Sequence, residues 1–483
     1  MGGFALNRWR ALFVAGVVGI VLSSSAWAAG ETVVPPSVTP PVDPINQITK
    51  PVEWFNWGAD FRLRQEYFDN AIDLLNEYQD RRNAIRMRCR FWAEVGPFFK
   101  MEELTAPNGV TANIRMTKET RWYQQDDGRV PMQDWNEIVY DNLYVQWQRI
   151  LGMPISLKVG RQDLVYGKGW IILDGTPLDG SRTIYSDAVK ATLHLDNIAT
   201  TIDVFALDNK AHQSRFRPFD PKHKLVSEYD TEVFGIYAIN KTLAPHEFHS
   251  YYIYKNENRV AAAPAIAPGD RTVHTVGGLG QGKFANGVDY YAEMAGQWGT
   301  EAGANRVGFG VNSDVGYTFT KVAMTPRVHG GYEYLSGDDP HTREYEGWDN
   351  VLGRWPQFSE AYAYRWAFEG GRPGAYTNLH RFTLGVNARP MPKMFAVLDY
   401  SLLLADEHTF GTSYTLPPPI PAPYGDGYVR GHLLVARVHY DFTKRLTGHM
   451  WAEYFCPGSY YDDATDDAVF LRWELAYAFK PVN

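Results

Sequence analysis

The sequence predicts an all-β protein, a transmembrane antiparallel β-barrel of about 18 strands with long extracellular loops and short periplasmic turns. The first sign is residues 82–95, where Ile85, Met87, Cys89, Phe91, Ala93 and Val95 alternate with Arg86, Arg88, Arg90 and Glu94. Successive side chains of a strand point to opposite faces, so this stretch carries one apolar wall and one arginine ladder. The second sign is that such runs recur along the chain, joined by connections that are alternately short and long. The third is composition: 30 tyrosines, 25 phenylalanines and 15 tryptophans occur in a chain whose mean hydropathy is only −0.34. Membrane barrels combine these features, because only every second residue faces lipid and aromatic girdles mark both interfaces. A single large barrel also suits the 483 residues, a length that in soluble proteins means several domains. The formal charge of −8 argues against a general nucleic-acid binder and leaves the charge inside a pore open.

Arg8 and Arg10 precede the apolar run 11–22, and Ala26-Trp27-Ala28 offers a small-residue cleavage site. Residues 1–28 therefore read as a secretory signal peptide, too short in its apolar part to be retained as a span. Residues 29–53 are proline-rich and poor in periodic apolar positions, as expected of a disordered or extended periplasmic lead-in. Residues 54–483 form the barrel.

Alternation places strands at 57–67, 84–95, 110–122, 137–148, 155–164, 186–195, 198–206, 230–240 and 247–256. The second half follows at 271–284, 287–298, 307–319, 322–335, 378–388, 394–405, 429–443, 446–456 and 468–479. The count is even, as in bacterial outer-membrane barrels. Tight connections fall at Asp196-Asn197, Ala285-Asn286, Thr320-Lys321 and Lys444-Arg445, and long ones at 165–185, 207–229, 336–377 and 406–428. Every long loop lies on one end, which soluble sandwiches and propellers have no reason to arrange. Cys89 and Cys456 fall on the second and seventeenth strands, three steps or roughly 14 Å apart around a closed wall. That exceeds disulfide reach, so both are expected as free thiols.

Strand parity assigns faces. On the eleventh strand Asp289, Tyr291, Glu293 and Gln297 point inward, opposite Met294 and Trp298; on the fourteenth, Arg381, Thr383 and Asn387 oppose Phe382 and Leu384. On the eighteenth, Arg472 and Glu474 oppose Leu471, Trp473 and Leu475. The same parity puts Arg62, Arg64, Glu66, Arg86, Arg88, Arg90, Arg115, Glu119, Lys190, Asp203, Arg327, Glu333, Asp399, Arg437 and Glu453 inside. Unpaired charge in a dry core costs several kcal/mol per group, so the lumen is expected to hold water or a polar solute.

The run KVGRQD at 158–163, then YGKGWIILDGTPLDGSRT, YEYLSGDD at 332–339, and the closing VARVHYDFTKRL, AEYFCPGSYY and LRWELAYAF, together resemble the alginate-export family of outer-membrane porins from about residue 57 to 479. The resemblance implies an eighteen-stranded monomeric barrel whose arginine-lined constriction passes an anionic polysaccharide outward, with loops as gates. Arg161 and Gln162 match the family's GRQ, and Ser336, Gly337 and Asp338 match its SGD. By parity Arg161 faces outward with Leu157 and Val159 unless Gly160 marks a bulge.

The candidate pore residues are thus Arg62, Arg64, Arg86, Arg88, Arg90, Arg115, Arg161, Lys190, Arg327, Arg381, Arg437 and Arg472, with Asp203, Asp289, Glu293, Glu333, Glu453 and Glu474 as counter-charges. Guanidinium forks bind carboxylates bidentately and stay charged, which suits a polyuronate. Arginines on the first three strands would form one basic patch facing Asp289, Glu293 and Glu333 across the lumen; the alternative is that these groups pair and brace the barrel. Loop 336–377 carries Tyr345, Trp348, Trp355, Phe358, Tyr362, Tyr364 and Trp366, for sugar stacking and pore folding or for its own packing. Expected partners are an anionic polysaccharide or small anions, outer-membrane lipid, the barrel-assembly machinery and periplasmic polysaccharide-synthesis proteins. No cofactor, metal, nucleic acid or catalytic residue is expected. Alternatives are a diffusion porin for small solutes, a soluble exported sugar-binding protein, and an outer-membrane hydrolase, for which His408 and His432 lack a nucleophile partner in the sequence.

Overall fold

The computed structural model describes residues 43–76, 81–125, 138–173, 185–212, 227–261, 269–353, 356–369, 376–408 and 424–481. The signal peptide, residues 29–42 and Trp355 lie outside the described residues. The remainder of the lead-in is not extended: Pro44–Thr49 forms a short helix, α1. Asp43 caps it by accepting the Ile45 N–H at 2.9 Å, and Pro44 occupies the first turn, where a missing N–H costs nothing.

Eighteen strands follow among the described residues: β1 (Phe55–Asp69), β2 (Arg82–Phe98), β3 (Gly109–Gln125), β4 (Ile138–Gln148), β5 (Ile155–Gln162), β6 (Ser186–Leu195), β7 (Thr200–Asn209), β8 (Tyr229–Asn240) and β9 (Glu247–Arg259). The rest are β10 (Arg271–Lys283), β11 (Val288–Glu301), β12 (Ala304–Thr318), β13 (Arg327–Leu335), β14 (Leu379–Ala388), β15 (Met394–Leu404), β16 (Val429–Asp441), β17 (Leu446–Pro457) and β18 (Ala468–Phe479). Each pairs antiparallel with its sequence neighbours, and β1 pairs with β18 over Asp69↔Val469 to Ala59↔Phe479, closing the sheet. Closure leaves no unpaired strand edge, which a bilayer requires.

Every expected strand is present, and the boundary shifts have local causes. β13 begins at Arg327 rather than 322, because Met324 and Thr325 adopt left-handed conformations and Pro326 ends the turn. β11 and β12 run on to Glu301 and Ala304, joined by a tight turn at Ala302 and Gly303, both with positive φ. Cys89 and Cys456 are free.

Burial is inverted relative to a soluble protein. Large apolar side chains stand exposed on the outer face, among them Leu384 (64%), Met294 (55%), Phe382, Val315 and Val276, while Arg62, Arg86, Glu119, Glu293 and Arg472 are buried inside. A leucine left in water forgoes about 1.5–3 kcal/mol of burial, so a wall of such residues fits lipid and not water.

Leu384 and Thr383 are adjacent on β14, the first outside and the second bonded inside to Ser401 at 2.8 Å. Leu384→Arg is expected to cost about 2–4 kcal/mol if it lies near mid-bilayer, and to lower the fraction of heat-resistant barrel on gels. Thr383→Ser should assemble normally, and equal behaviour of the two variants would contradict the face assignment.

Candidate functional site: the pore

On the wall formed by β18, β1, β2 and β3 the arginines are not a bare basic patch. Arg62 reaches Glu119 at 3.0 Å and Glu474 at 3.7 Å, while Arg64 reaches Glu474 at 2.6 Å and Glu66 at 3.2 Å. Arg86 bridges Glu66 and Glu119 at 2.9 and 2.8 Å, and Arg472 binds Glu66 at 2.6 Å. Strand register explains the network, since Arg62↔Arg88, Arg64↔Arg86 and Glu66↔Arg472 place like and unlike charges side by side on one face. The pairs run along the wall, within a strand or between strands one or two apart, and not across the lumen. Arg121 also joins, on Glu119 at 2.9 Å. It shares parity with Arg115 and Glu119, a signal the sequence contains.

Toward the short-turn end the balance changes. Arg88 and Arg90 share one carboxylate, Asp60, at 2.7 and 2.8 Å. Arg115 holds Asp141 and Asp163 at 2.9 and 3.0 Å, made possible by a register shift at Arg115/Met116 that turns both Asp141 and Asn142 inward. The Lys158 ammonium lies 3.8 Å from the Tyr144 ring centre. Together these border a chamber of about 510 Å³. Seven cationic side chains line it (Arg88, Arg90, Arg115, Lys158, Lys444, Arg445, Lys480) against the two carboxylates Asp60 and Asp163, a formal excess of five. Counting Asp43 and Asp141, which bind Arg445 and Arg115, leaves three. Arg445 grips Asp43 at 2.6 Å and Asn46 at 3.0 Å, so α1 sits at this mouth.

The long-loop end is filled. Residues 164–173, 336–353 and 356–369 turn into the barrel, with an Ile172↔Leu352 bridge and Trp170 stacked on Trp348 at 5.1 Å. Tyr166 lies between Phe205 and Tyr237 and donates to Asp203 at 2.6 Å. With Leu207, Val233, Leu335, Leu403 and Leu433 these residues form one apolar core. The lumen is thus divided: charged side chains and cavities lie below this plug, while the plug itself is closely packed.

Three fixtures hold the larger loop. At its base the SGD motif folds back, with the Ser336 hydroxyl donating to Glu346 O at 2.7 Å and Asp338 accepting the Glu346 N–H at 3.0 Å. Burial, with Glu346 alongside, pushes the Asp338 carboxyl up to about 6. Further on, Asp349 meets Lys255 at 2.5 Å and Arg271 at 3.4 Å. Burial alone would raise its carboxyl, yet Lys255 and Arg271 outweigh that and hold it below the ordinary range. Then comes a helix, α2 (Ala361–Glu369). Glu453 on β17 accepts from the Ser359 hydroxyl at 2.6 Å and from the Glu360 and Ala361 N–H groups at 2.8 and 3.2 Å, placing an anion at the helix N-terminus. Tyr362 packs in the core, Tyr364 lies against Phe68, and Phe358 lies 4.4 Å from the Arg381 guanidinium. Tyr345 lies under Arg306.

Of the remaining candidates, Lys190 binds Asp203 at 3.1 Å, Arg327 binds Asp289 at 2.6 Å and also Asp314, and Arg381 binds Glu333 at 2.9 Å. Arg437 lies 3.6 Å from Asp399. Glu293 accepts from the hydroxyls of Tyr251 and Tyr291. Arg161 is removed from the pore. It pairs in register with Asp187, on the outer face shared by Val159 and Val189, binds that carboxylate at 2.7 Å, and lies 3.6 Å from the Tyr185 ring centre. Gly160 makes no bulge there; its φ of 121° and a would-be Cβ 2.3 Å from Leu143 O explain why glycine precedes it. Its neighbour Gln162 points inward and donates to Ala188 O at 3.0 Å. His408 bonds Gly425 O at 2.8 Å, and His432 bonds the Tyr400 hydroxyl at 2.7 Å on the outer face.

A family model described as alginate export matches residues 53–472. A search of curated proteins finds no match. Among solved structures, OccK11 (OpdR) of Pseudomonas aeruginosa superposes with TM-score 0.51 at 13% identity, over 88% of this chain and 96% of that one. The outer membrane protein OpdK of the same organism gives 0.54 at 10%, over 88% and 98%. OpdK crystallised with vanillate gives 0.53 at 10%, over 87% and 98%. These likenesses carry the fold.

Removing the helix anchor by Glu453→Ala leaves three buried donors without an acceptor, at about 1–3 kcal/mol each. The barrel should still migrate as folded, loop 336–378 should become protease-sensitive, and single-channel conductance should rise; unchanged conductance would show that this loop does not restrict the pore. Asp338, raised above its unfolded value, favours the folded loop base most when protonated, and that margin is lost as pH rises through about 6. Loop protection from protease should therefore weaken as pH rises through this value, and Asp338→Asn should abolish the dependence.

Proposed function

The chain belongs to the alginate-export family of outer-membrane β-barrel channels, and we propose that its pore passes an anionic polysaccharide, an alginate-like polyuronate, from the short-turn side toward the long-loop side. The observation that carries this reading is the cationic chamber of about 510 Å³ in a chain whose overall charge is −8. Cations concentrated in a narrow aqueous mouth raise the local concentration of a polyanion and favour its entrance.

The paired arginines contribute differently. A guanidinium has five N–H donors, and one carboxylate occupies at most two of them. Arg88 and Arg90 share Asp60, so one carboxylate answers two guanidinium groups that border the chamber. A passing carboxylate meets a site already partly neutralised and is held weakly at several points, as conduction of a multivalent chain requires. Deeper in, Arg62, Arg64, Arg86 and Arg472 are tied to Glu66, Glu119 and Glu474 and keep the wall rigid. The inward segments 164–173, 336–353 and 356–369 act as the gate, since a polymer passes only when they move. Assembly machinery, outer-membrane lipid and periplasmic synthesis proteins are the partners this reading implies, with the monomeric barrel as the working unit.

One observation favours a second reading. With the long-loop half filled, the space below suits a small solute, and OpdK has been described with vanillate. A substrate-specific diffusion porin would keep its loops folded inward, whereas an exporter would release them.

Changing Arg88 and Arg90 together to Gln should preserve the barrel, move reversal potential toward cations and weaken oligouronate block by about tenfold or more. Arg86→Glu should instead lose heat-resistant migration, because it sets a third carboxylate against Glu66 and Glu119. Normal anion preference in the double variant would overturn the role given to the chamber.

A further inference from the structure

A second chamber, of about 560 Å³, lies against β12–β17 beneath the inward loops. Its charge differs from that of the mouth: Lys168, Arg327, Arg381 and Arg437 line it against Asp314, Glu333 and Asp399, and the three arginines are each bound to a carboxylate. Arg327 has Asp289 as well, and His329 lies between Asp314 and Asp399 at 2.7 and 3.1 Å. Charge here is matched inside the wall.

Hydrogen-bonding capacity is not matched. Asn387 Oδ1, Arg437 Nε, His449 Nε2 and Trp451 Nε1 are buried polar atoms without a hydrogen-bond partner, and all four side chains border this chamber. Strand register makes them a group. Asn387 pairs with Val397, Val397 with Arg437, and Arg437 with Trp451, so they form one row across four adjacent strands, roughly 14 Å long. His449 lies on the same face one step from Trp451. Between the polar ends of the row Val397 and Phe395, two residues apart on β15, present an apolar strip to the chamber. Leaving a buried polar group unmet is unfavourable, so three such residues in one row, with His449 beside it, form a region that a ligand with hydroxyl groups stabilises, after small side-chain rotations.

We propose that this chamber is a subsite for a neutral pyranose ring, recognised by its hydroxyl groups on Asn387, Arg437 and Trp451 and by its apolar face on Phe395 and Val397. It rests on the barrel being a carbohydrate channel but not on the cationic mouth, and it implies a cargo in which uncharged sugar units accompany acidic ones. A ring with several donors and acceptors on its edge and C–H groups on its face fits a row whose charges are already matched.

The test uses the full-length barrel in planar bilayers with the methyl glycosides of glucose, mannose and galactose, each added separately, and glucuronate as the charged probe. At least one neutral glycoside should block current in a manner insensitive to salt. Asn387→Ala and Phe395→Ala should each weaken that block by about tenfold, the loss of one hydrogen bond or one apolar contact. Heat-resistant migration is checked first, and Phe395→Leu replaces Phe395→Ala if the latter does not assemble. The proposal is overturned if no neutral glycoside blocks, if block survives both variants, or if glucuronate alone blocks and salt removes the effect. Absence of block by every neutral glycoside, with oligouronate block still lost when Arg88 and Arg90 are changed, would refute this subsite and leave the polyanion reading standing.

Discussion

Closing the sheet through β1 and β18 is the constraint on which everything else depends. A closed wall in lipid must satisfy its backbone internally and turn every second side chain to hydrocarbon, so all polarity is forced inward. Eighteen strands then deliver many charged groups to the lumen, and the structure answers with carboxylates on the same strand or on strands one or two away. Glu66 meets Arg64, Arg86 and Arg472, and Glu119 meets Arg62, Arg86 and Arg121. Where that matching lapses, at Arg88, Arg90, Lys158 and the β16–β17 turn, the lumen becomes cationic. In the function proposed here, selectivity resides in the shortage of carboxylates at one mouth more than in the number of arginines.

The plug follows from the same constraint. A wide barrel needs something to narrow it, and two of its loops do so by building an apolar core at the long-loop end. Their attachment is electrostatic at its margins, through Asp349 on Lys255 and Arg271 and through Glu453 at the start of α2. Such contacts hold a loop in one place yet can be exchanged for water or for a charged cargo, whereas the stacked Trp170 and Trp348 must part together.

Period-two alternation was strong enough in the sequence to reveal all eighteen strands and the inward set, because a one-residue slip would turn charge into lipid. Residues 82–95 alone establish the rule. Pairing was less legible: which carboxylate meets Arg64 depends on register, and register is not written in either strand by itself. Arg121 is missing from the candidate set although its parity is plain, and Arg161 enters that set on the family motif although its parity sets it with Leu157 and Val159. The helix at Pro44–Thr49 was signalled by Asp43-Pro44, a cap and first-turn pair obscured by the prolines around it. The inward course of 336–353 and 356–369 is open from the sequence, since the same aromatics serve a surface loop or a plug.

Central to this account is a pore that prefers anions because one mouth has too few carboxylates, and the most direct measurement is the reversal potential of the wild-type barrel in a salt gradient, with oligouronate added to each side in turn. Anion preference, with block that is stronger from the short-turn side and weakens as salt screens the chamber, is the expected result. Cation preference, or indifference to oligouronate from both sides, would contradict it.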